Sequence, residues 1–156
     1  MSKTTACYLA GFFDGEAYFG LMKTKKGNKK KWHSKRDYYY LPVIKVASVD
    51  KEIIIWLKDS FGGTMETRVF KNKNQKTAYT WSLRGTKQAE KIIRKVYPFL
   101  RIKQKPAEVL LKFFKTISYG KPIKTFVNEE RDNLYKEIRK LNFRGKDILH
   151  AERLSE

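Results

Sequence analysis

The stretch YLAGFFDGEAYF, Tyr8 to Phe19, begins as an apolar helix and ends in two acids. Gly11 lies in the middle of the apolar part, and Gly15 lies between Asp14 and Glu16. A glycine inside a helix costs roughly 0.5–1 kcal/mol relative to alanine. Some other interaction should therefore offset Gly11, and it should also explain why acids follow the apolar residues.

The composition of the chain points to a polyanionic partner. The 156 residues are enough for one compact domain with a hydrophobic core. Lysine and arginine number 35 against 16 acids, which gives a formal net charge of +19. A globular domain this basic favours nucleic acid as its partner. A basic ribosomal-type structural protein and a membrane-surface protein are the alternatives.

Cysteine, histidine and hydropathy exclude several protein classes. The single cysteine, Cys7, allows no internal disulfide, and its position beside Tyr8 and Leu9 on the apolar helix predicts a core residue. No zinc-type spacing, secretory signal or membrane-spanning run is present, so we expect an intracellular, soluble protein whose compartment stays open. His33 and His150 have no neighbouring acid cluster and are interpreted as solvated surface residues.

Hydrophobic periodicity predicts the order helix, two strands, helix, two strands, then helices. The first helix should start at a cap provided by Thr4 or Thr5 and end near Asp14, and a strand should begin at Ala17. A basic loop, residues 23–36, leads to a second strand. The second strand is predicted over residues 37–48, with Pro42 at an edge or bulge. A helix should follow from Asp50 to Gly62–Gly63, and then the strands 64–71 and 76–84. Three more helices are predicted: one that buries Ile92, Ile93 and Val96 and stops near Pro98, one that starts at Pro106, and a peripheral last helix that packs Leu134, Ile138 and Leu141.

These elements make an α+β fold in which one four-stranded antiparallel sheet has helices on one face and leaves the other open. The open face carries hydrogen-bond donors and acceptors suited to base edges in a major groove, although an ordinary solvated face would also be polar. Lysine-rich loops at the sheet ends would contact phosphates. The predicted DNA-binding residues are Thr24, Lys26, Lys29, Lys30, Lys31, Lys45, Glu66, Arg68, Lys71, Lys73, Thr80, Ser82 and Arg84.

The nine residues LAGFFDGEA, Leu9 to Ala17, resemble the motif that defines the LAGLIDADG homing endonucleases. The agreement covers Leu9, Ala10, Gly11, Asp14 and an acid at position 16, whereas Ala17 replaces the usual glycine. The predicted αββαββα order is also similar to that family. So is the segment PFLRIKQKPAEVLLK, residues 98–112, which looks like a late segment of its short, single-motif members.

The resemblance implies a homodimer, because no second copy of the motif is present and single-motif members pair two αββαββα units through their motif helices. Small residues would let the two backbones approach closely, which accounts for the glycine in the helix. The implied domain covers residues 1–156, with a core of about 4–118 and a C-terminal helical extension, 119–156. The implied interface residues are Tyr8, Ala10, Gly11, Phe12, Asp14 and Gly15.

The resemblance also implies the chemistry and the site. Glu16 corresponds to the metal-binding acid, with the Gly15 carbonyl as a further ligand, and Mg²⁺ suits such oxygens, with Ca²⁺ or Mn²⁺ as substitutes. Asp14 is expected to bind backbone donors where its helix ends. Lys103 matches a lysine near the scissile phosphate, or is one more phosphate-binding lysine. Weaker candidates are Gln104, Lys105 and Ser48, which corresponds to the family's water-organising position. Near Ser48, Glu52 occupies a region where family members more often have a basic residue.

The implied activity is that of an intron-encoded, metal-dependent endonuclease that makes a double-strand break with short 3′ overhangs in a long pseudo-palindromic site. The first alternative is a non-cleaving DNA-binding regulator, or a bifunctional RNA-binding maturase, on the same fold. The second is a basic RNA-scaffold protein, which would be monomeric and show no metal-dependent activity. The target sequence is not encoded in any motif of the chain.

Overall fold

The computed structural model describes residues 1–25, 38–71, 74–117 and 125–143. Its first helix, α1, spans Lys3–Glu16 and is capped by Ser2, whose Oγ accepts a hydrogen bond of 3.1 Å from the Thr5 amide. The prediction of a cap at Thr4 or Thr5 is therefore wrong by two or three residues. Ser2 has extended backbone angles, as a capping residue requires, whereas both threonines lie inside the helix.

The four strands form one antiparallel sheet in the order β1-β2-β4-β3, so the fold is α+β as predicted. The strands are β1 (Ala17–Lys25), β2 (Tyr38–Ser48), β3 (Thr64–Arg68) and β4 (Ala78–Arg84). The later helices are α2 (Lys51–Phe61), α3 (Thr86–Val96), a 3-10 turn (Tyr97–Phe99), α4 (Gln104–Lys115) and α5 (Thr125–Asn142). The αββαββα order is confirmed, with α4 and α5 following it.

Proline and glycine mark the boundaries in ways that the sequence only partly predicts. Pro42 lies in an internal strand rather than at an edge, but β4 pairs only with residues 43–48 of β2, so the proline removes no hydrogen bond to β4. Asp50 caps α2 as expected, accepting from two amides. Gly62 and Gly63 end α2 with positive φ, and a Cβ on Gly63 would lie 2.6 Å from the Ser82 carbonyl oxygen.

The core lies between the sheet and the helices. Phe13 of α1 packs edge-on against Phe19 of β1 and stacks on Trp81 of β4, and all three are fully buried. The inward face of α1 is formed by residues 6, 9, 10 and 13. Cys7 falls outside that helical stripe and is exposed, so the prediction of a core cysteine is wrong.

The two C-terminal helices differ from their predicted limits and role. Helix α4 begins at Gln104, two residues before Pro106, because the first turn of a helix needs no amide donor from proline. In α5, Ile138 and Leu134 join the main core, whereas Leu141 is 40% exposed and packs less than predicted. Asn142 also donates to the Phe19 carbonyl at 2.8 Å, so α5 is attached to strand β1 and is not peripheral. No helix in the described ranges is long and apolar enough to cross a membrane.

Candidate active site and nucleic-acid interface

Strand register places seven of the predicted DNA-binding residues on one face of the sheet. Tyr18, Lys45, Ser82 and Thr64 form one row across the four strands, and Thr80 lies between Ala47 and Glu66 in the next. Thr24, Arg68 and Arg84 share this face by strand alternation. Four of the set are exposed charges, Lys45, Glu66, Arg68 and Arg84, and Thr24 and Thr80 are half-buried.

Ser82 departs from the expectation of an accessible contact residue. It lies on the outward face but is only 3% exposed. The reason is its place in strand β4, between Lys45 and Thr64 of the neighbouring strands, where longer side chains surround a short one. Lys71 is exposed just beyond β3. The other predicted contacts, Lys26, Lys29, Lys30, Lys31 and Lys73, lie outside the described residues, as do His33 and His150.

The C-terminal end of α1 is attached to the segment before α4 through Asp14. One carboxylate oxygen of Asp14 accepts from the Arg101 amide at 2.8 Å, and the other accepts from the Ile102 and Lys103 amides at 3.0 and 2.8 Å. These donors precede the first turn of α4, where a negative charge is also favourable. Asp14 binds backbone donors as predicted, but the donors lie 87 to 89 residues away rather than in its own helix end.

The same contact brings two predicted catalytic residues to one end of the molecule. Glu16 is the last residue of α1 and is exposed, while Lys103 stands immediately before α4 and is held by its backbone amide to Asp14. Because both oxygens of Asp14 are occupied by amides, Glu16 is the acid of the motif that is open to a ligand. Gln104 and Lys105 follow in the exposed first turn of α4.

The described part of the chain holds no preformed cluster of metal ligands. Within the described residues, no group of three or more histidine, cysteine or acidic side chains could hold a metal ion. Ser48, the predicted water-organising position, accepts from the Asp50 amide at 3.1 Å and so shapes the start of α2. Glu52 is exposed in the first turn of that helix.

The outward face of α1 consists of small and aromatic residues. Tyr8 is 55% exposed, and Gly11 and Gly15 are exposed on the same side. A Cβ at either glycine would have no atom within 4 Å, so the packing of the described residues does not require glycine there. Ala10 is fully buried against the core of its own chain, which contradicts its assignment to an interface between chains. The reason is its place on the inward stripe of α1.

One residue that organises this surface, Trp56, was missed by sequence reasoning. Trp56 of α2 packs edge-on against Tyr8 at 5.9 Å between ring centroids, and Tyr8 stacks with Phe12. Trp56 lies in a run of apolar residues whose helical spacing favours a buried position. Only the packing of α1 against α2 shows that its ring extends the exposed aromatic surface.

A second missed group holds α5 to the sheet. The Asp132 carboxylate accepts from the Lys23 ammonium at 2.7 Å and from the Tyr40 hydroxyl. These bonds lower the pKa of Asp132 and raise the pKa of Lys23. Burial, followed by the bond to Asp132, raises the pKa of Tyr40. No local motif indicates this cluster, because Asp132 lies 109 residues from Lys23 and 92 residues from Tyr40 in the sequence.

Comparison with protein families identifies the chain. The model of the LAGLIDADG endonucleases matches residues 9–108, which is more than half of the sequence. The chain belongs to the LAGLIDADG endonuclease family. The match begins inside α1 and ends inside α4, so it includes the motif helix, the sheet and the segment held by Asp14. The comparison with curated protein sequences gives no match.

Solved structures of homing endonucleases share this fold at low sequence identity. I-CvuI bound to its target in the presence of calcium has a TM-score of 0.71 and 18% identity over 92% of this chain and 85% of that chain. I-TnaI has a TM-score of 0.66 and 15% identity, covering 97% and 95%. I-SmaMI, bound to an uncleaved DNA target with calcium, has a TM-score of 0.63 and 16% identity over 94% of this chain but 48% of that one. The chain thus corresponds to one αββαββα unit.

Proposed function

We propose that this LAGLIDADG protein is a homodimeric, sequence-specific DNA endonuclease. It makes a metal-dependent double-strand break, with short 3′ overhangs, in a long pseudo-palindromic site. The observation that carries the proposal is the attachment of the Lys103 backbone to the end of α1 by Asp14, because it brings Lys103 and the exposed Glu16 to the same end of the molecule. An acid and a lysine positioned together at one edge of a basic sheet suit phosphodiester hydrolysis.

The dimer would form through the outward face of α1. Gly11 and Gly15 have open space where a Cβ would stand, so the cost of glycine in this helix is offset only if a partner helix approaches. Tyr8 and Phe12 add aromatic surface on the same side. Support also comes from I-SmaMI, of which this chain spans about half. A two-fold axis along this face brings the two copies of Glu16 together.

Glu16 and the Gly15 carbonyl would hold Mg²⁺ in this dimer, where the carboxylates of two chains meet. Carboxylates that approach each other repel, and a shared cation removes that repulsion. Bound Mg²⁺ would supply an activated water and charge stabilisation at the departing 3′ oxygen. I-CvuI has been described with its own target in the presence of Ca²⁺ and with the I-CreI target in the presence of Mg²⁺, where the DNA was not cleaved.

The remaining residues would bind and position DNA. The Lys103 ammonium would stabilise negative charge on the scissile phosphate. Lys45, Arg68 and Arg84 face outward from neighbouring strands and would contact base edges or the backbone, while bending of the duplex would add specificity at untouched base pairs. Two sheets related by the two-fold axis would form one continuous saddle over a long site.

The direct test is cleavage of a plasmid library with randomised target sequences in Mg²⁺ by three proteins: the native chain, Glu16→Gln and Glu129→Gln. Glu129 is an exposed acid on α5 and controls for the loss of one negative charge. We expect site-specific linearisation by the native chain and the Glu129 variant, and none by the Glu16 variant. If the native chain does not cut but retains salt-sensitive binding of DNA or RNA, the protein is a regulator or maturase and the endonuclease proposal is wrong.

A further inference from the structure

A groove lies at the β1 edge of the sheet, between that strand and helix α5. Its volume is about 240 Å³, and it is lined by residues from three elements. The polar lining residues are Tyr18 and Lys23 of β1, Lys45 of β2, and Tyr135 and Arg139 of α5. Because Lys45 also belongs to the outward row of the sheet, the groove continues the proposed DNA surface past its edge strand.

The charges in the groove are positive and only partly neutralised. Lys23 is paired with Asp132, whereas the residues that line the groove include no aspartate or glutamate in the described part of the chain. Lys45 is exposed. The Arg139 guanidinium lies 5.8 Å from the Tyr135 ring and 5.5 Å from the Phe143 ring. Stacking of this kind restrains the guanidinium before any ligand arrives and leaves its edge able to donate.

Tyrosine hydroxyls add neutral donors to these cations. The Tyr18 ring lies directly over Gly20, where a Cβ would come within 2.5 Å of the ring. Burial, and then the proximity of Tyr135, raises the pKa of Tyr18, although Arg139 lowers it. The hydroxyl therefore stays protonated at neutral pH and can donate a hydrogen bond. A groove with two cations besides the paired Lys23, with tyrosine donors and with no lining acid suits a phosphate oxyanion.

We propose that this groove binds a backbone phosphate of duplex DNA through Lys45 and Arg139, which makes α5 part of the nucleic-acid interface. The inference rests on the proposed DNA binding by the sheet and extends it to a helix that lies beyond the sheet. A free phosphate ion offers the same chemistry. The continuity of the groove with Lys45 and the outward face favours the DNA backbone as its source, because a duplex lying on the sheet would pass its phosphates over the β1 edge.

The experiment measures the salt dependence of binding to a short duplex of random sequence. The variants are R139Q, K45Q and the double variant, with K91Q on α3 as a control that removes one exposed charge elsewhere. Circular dichroism and thermal unfolding confirm that each variant is folded. We expect R139Q to weaken binding roughly fivefold at low salt. The slope of the logarithm of the binding constant against the logarithm of the salt concentration changes by about 0.9 for each phosphate contacted. Because Lys45 and Arg139 bind the same phosphate, the double variant should lose about 0.9 from this slope, whereas two separate phosphates would give a loss of about 1.8.

A second arm separates the two sources of phosphate. The Nε–H resonance of Arg139 is followed by NMR while either inorganic phosphate or the duplex is added. A shift that saturates with duplex at far lower concentration than with phosphate supports the backbone as ligand. Saturation by inorganic phosphate together with unchanged salt slopes in the variants would assign the groove to a free anion and overturn the DNA source.

Failure of the groove and failure of the proposed function are distinguishable. If R139Q and K45Q bind duplex with native affinity and slope, the groove proposal is wrong while DNA binding stands. If the native chain binds no duplex, the proposed function fails, and the phosphate arm alone tests the groove. In that case, no shift of the Arg139 resonance with inorganic phosphate would reject the anion site as well.

Discussion

Asp14 connects two parts of the chain that are far apart in sequence. Both of its carboxylate oxygens accept backbone amides from the segment 101–103, and this contact positions Lys103 relative to the end of α1. Asp14, which could be mistaken for a second metal ligand in the motif, therefore has a structural role. Glu16, two residues later, stays exposed for a ligand. A step of two residues thus separates a positioning acid from a proposed catalytic acid.

Replacing Asp14 with Asn should destabilise the protein by about 1–3 kcal/mol, because one charged acceptor is lost and at least one amide of the 101–103 segment loses its partner. The measurement is the midpoint of urea unfolding, together with hydrogen exchange at residues 101–103. The Asp59→Asn variant, an exposed acid on α2, is the matched control. Equal stability and equal exchange in the two variants would show that the contact does not hold this segment.

At the scale of elements, α5 closes one side of the sheet. Its Asp132 binds Lys23 of β1 and Tyr40 of β2, Asn142 binds the Phe19 carbonyl, and Ile138 is buried in the core. Edge strands expose unpaired backbone groups, and covering such an edge protects the sheet from pairing with other chains. The attachment of α5 therefore combines apolar burial with a charged clamp made of Lys23, Tyr40 and Asp132.

The clamp should make the stability of α5 depend on pH. The pKa of Asp132 is lowered from its ordinary value of 3.8, so its contribution is present above about pH 4 and is lost as the pH falls through the lower, folded-state pKa. Asp132→Asn should therefore reduce stability by about 1 kcal/mol at neutral pH, because the pair is partly exposed, and this difference should shrink in acid. Urea unfolding of the native chain and the Asp132 variant across pH 2 to 7 measures this difference in stability.

Glu129→Gln on the same helix is the control for that comparison. Hydrogen exchange should show faster opening of α5 in the Asp132 variant but not in the Glu129 variant. A difference in stability that stays constant down to the lowest pH would contradict the assignment of the lowered pKa to the clamp.

At the scale of the whole molecule, one chain has an exposed helix face and an exposed acid that packing within that chain does not explain. The outward face of α1 exposes Tyr8, Gly11 and Gly15, and Glu16, the proposed metal-binding acid, is exposed at the end of that helix. Both features are explained by the proposed two-fold dimer. The sheet surface, Glu16 and the groove beside α5 would then each occur twice in the dimer, as a pseudo-palindromic target requires.

Gly11→Leu should convert the dimer to a monomer. A Cβ at Gly11 meets no atom within 4 Å, so leucine fits the single chain and improves helix propensity, but it would separate two closely packed helices. Sedimentation should show twice the mass of the 18.5 kDa chain for the native protein and a single mass for the variant. Lys140→Leu on α5, which adds the same side chain elsewhere, should stay dimeric. A monomeric native chain, or a dimeric Gly11 variant, would contradict the interface.

Much of the fold follows from short-range chemistry and could be predicted. The alternation after Ala17 predicts β1, the Asp50 cap and Gly62–Gly63 predict both ends of α2, and the spacing of Ile92, Ile93 and Val96 predicts the inward face of α3. Each of these signals acts over a few residues. The motif in α1 also indicates the acid end of that helix, because small residues and carboxylates occur together there.

Whether a side chain is buried or exposed could be predicted only where burial follows the regular spacing of apolar residues within one helix or strand. Whether Cys7 is exposed, Ala10 is buried or Ser82 is covered depends on which neighbours pack beside them. The partners of Asp14 and Asp132 are chosen by contacts across 87 to 109 residues of chain. Local chemistry is therefore enough to specify the elements and the motif, whereas the attachment of Lys103 and of α5 exists only after the core has brought distant segments together. The physical reason is that hydrogen bonds and ion pairs require close approach, and only tertiary packing supplies it.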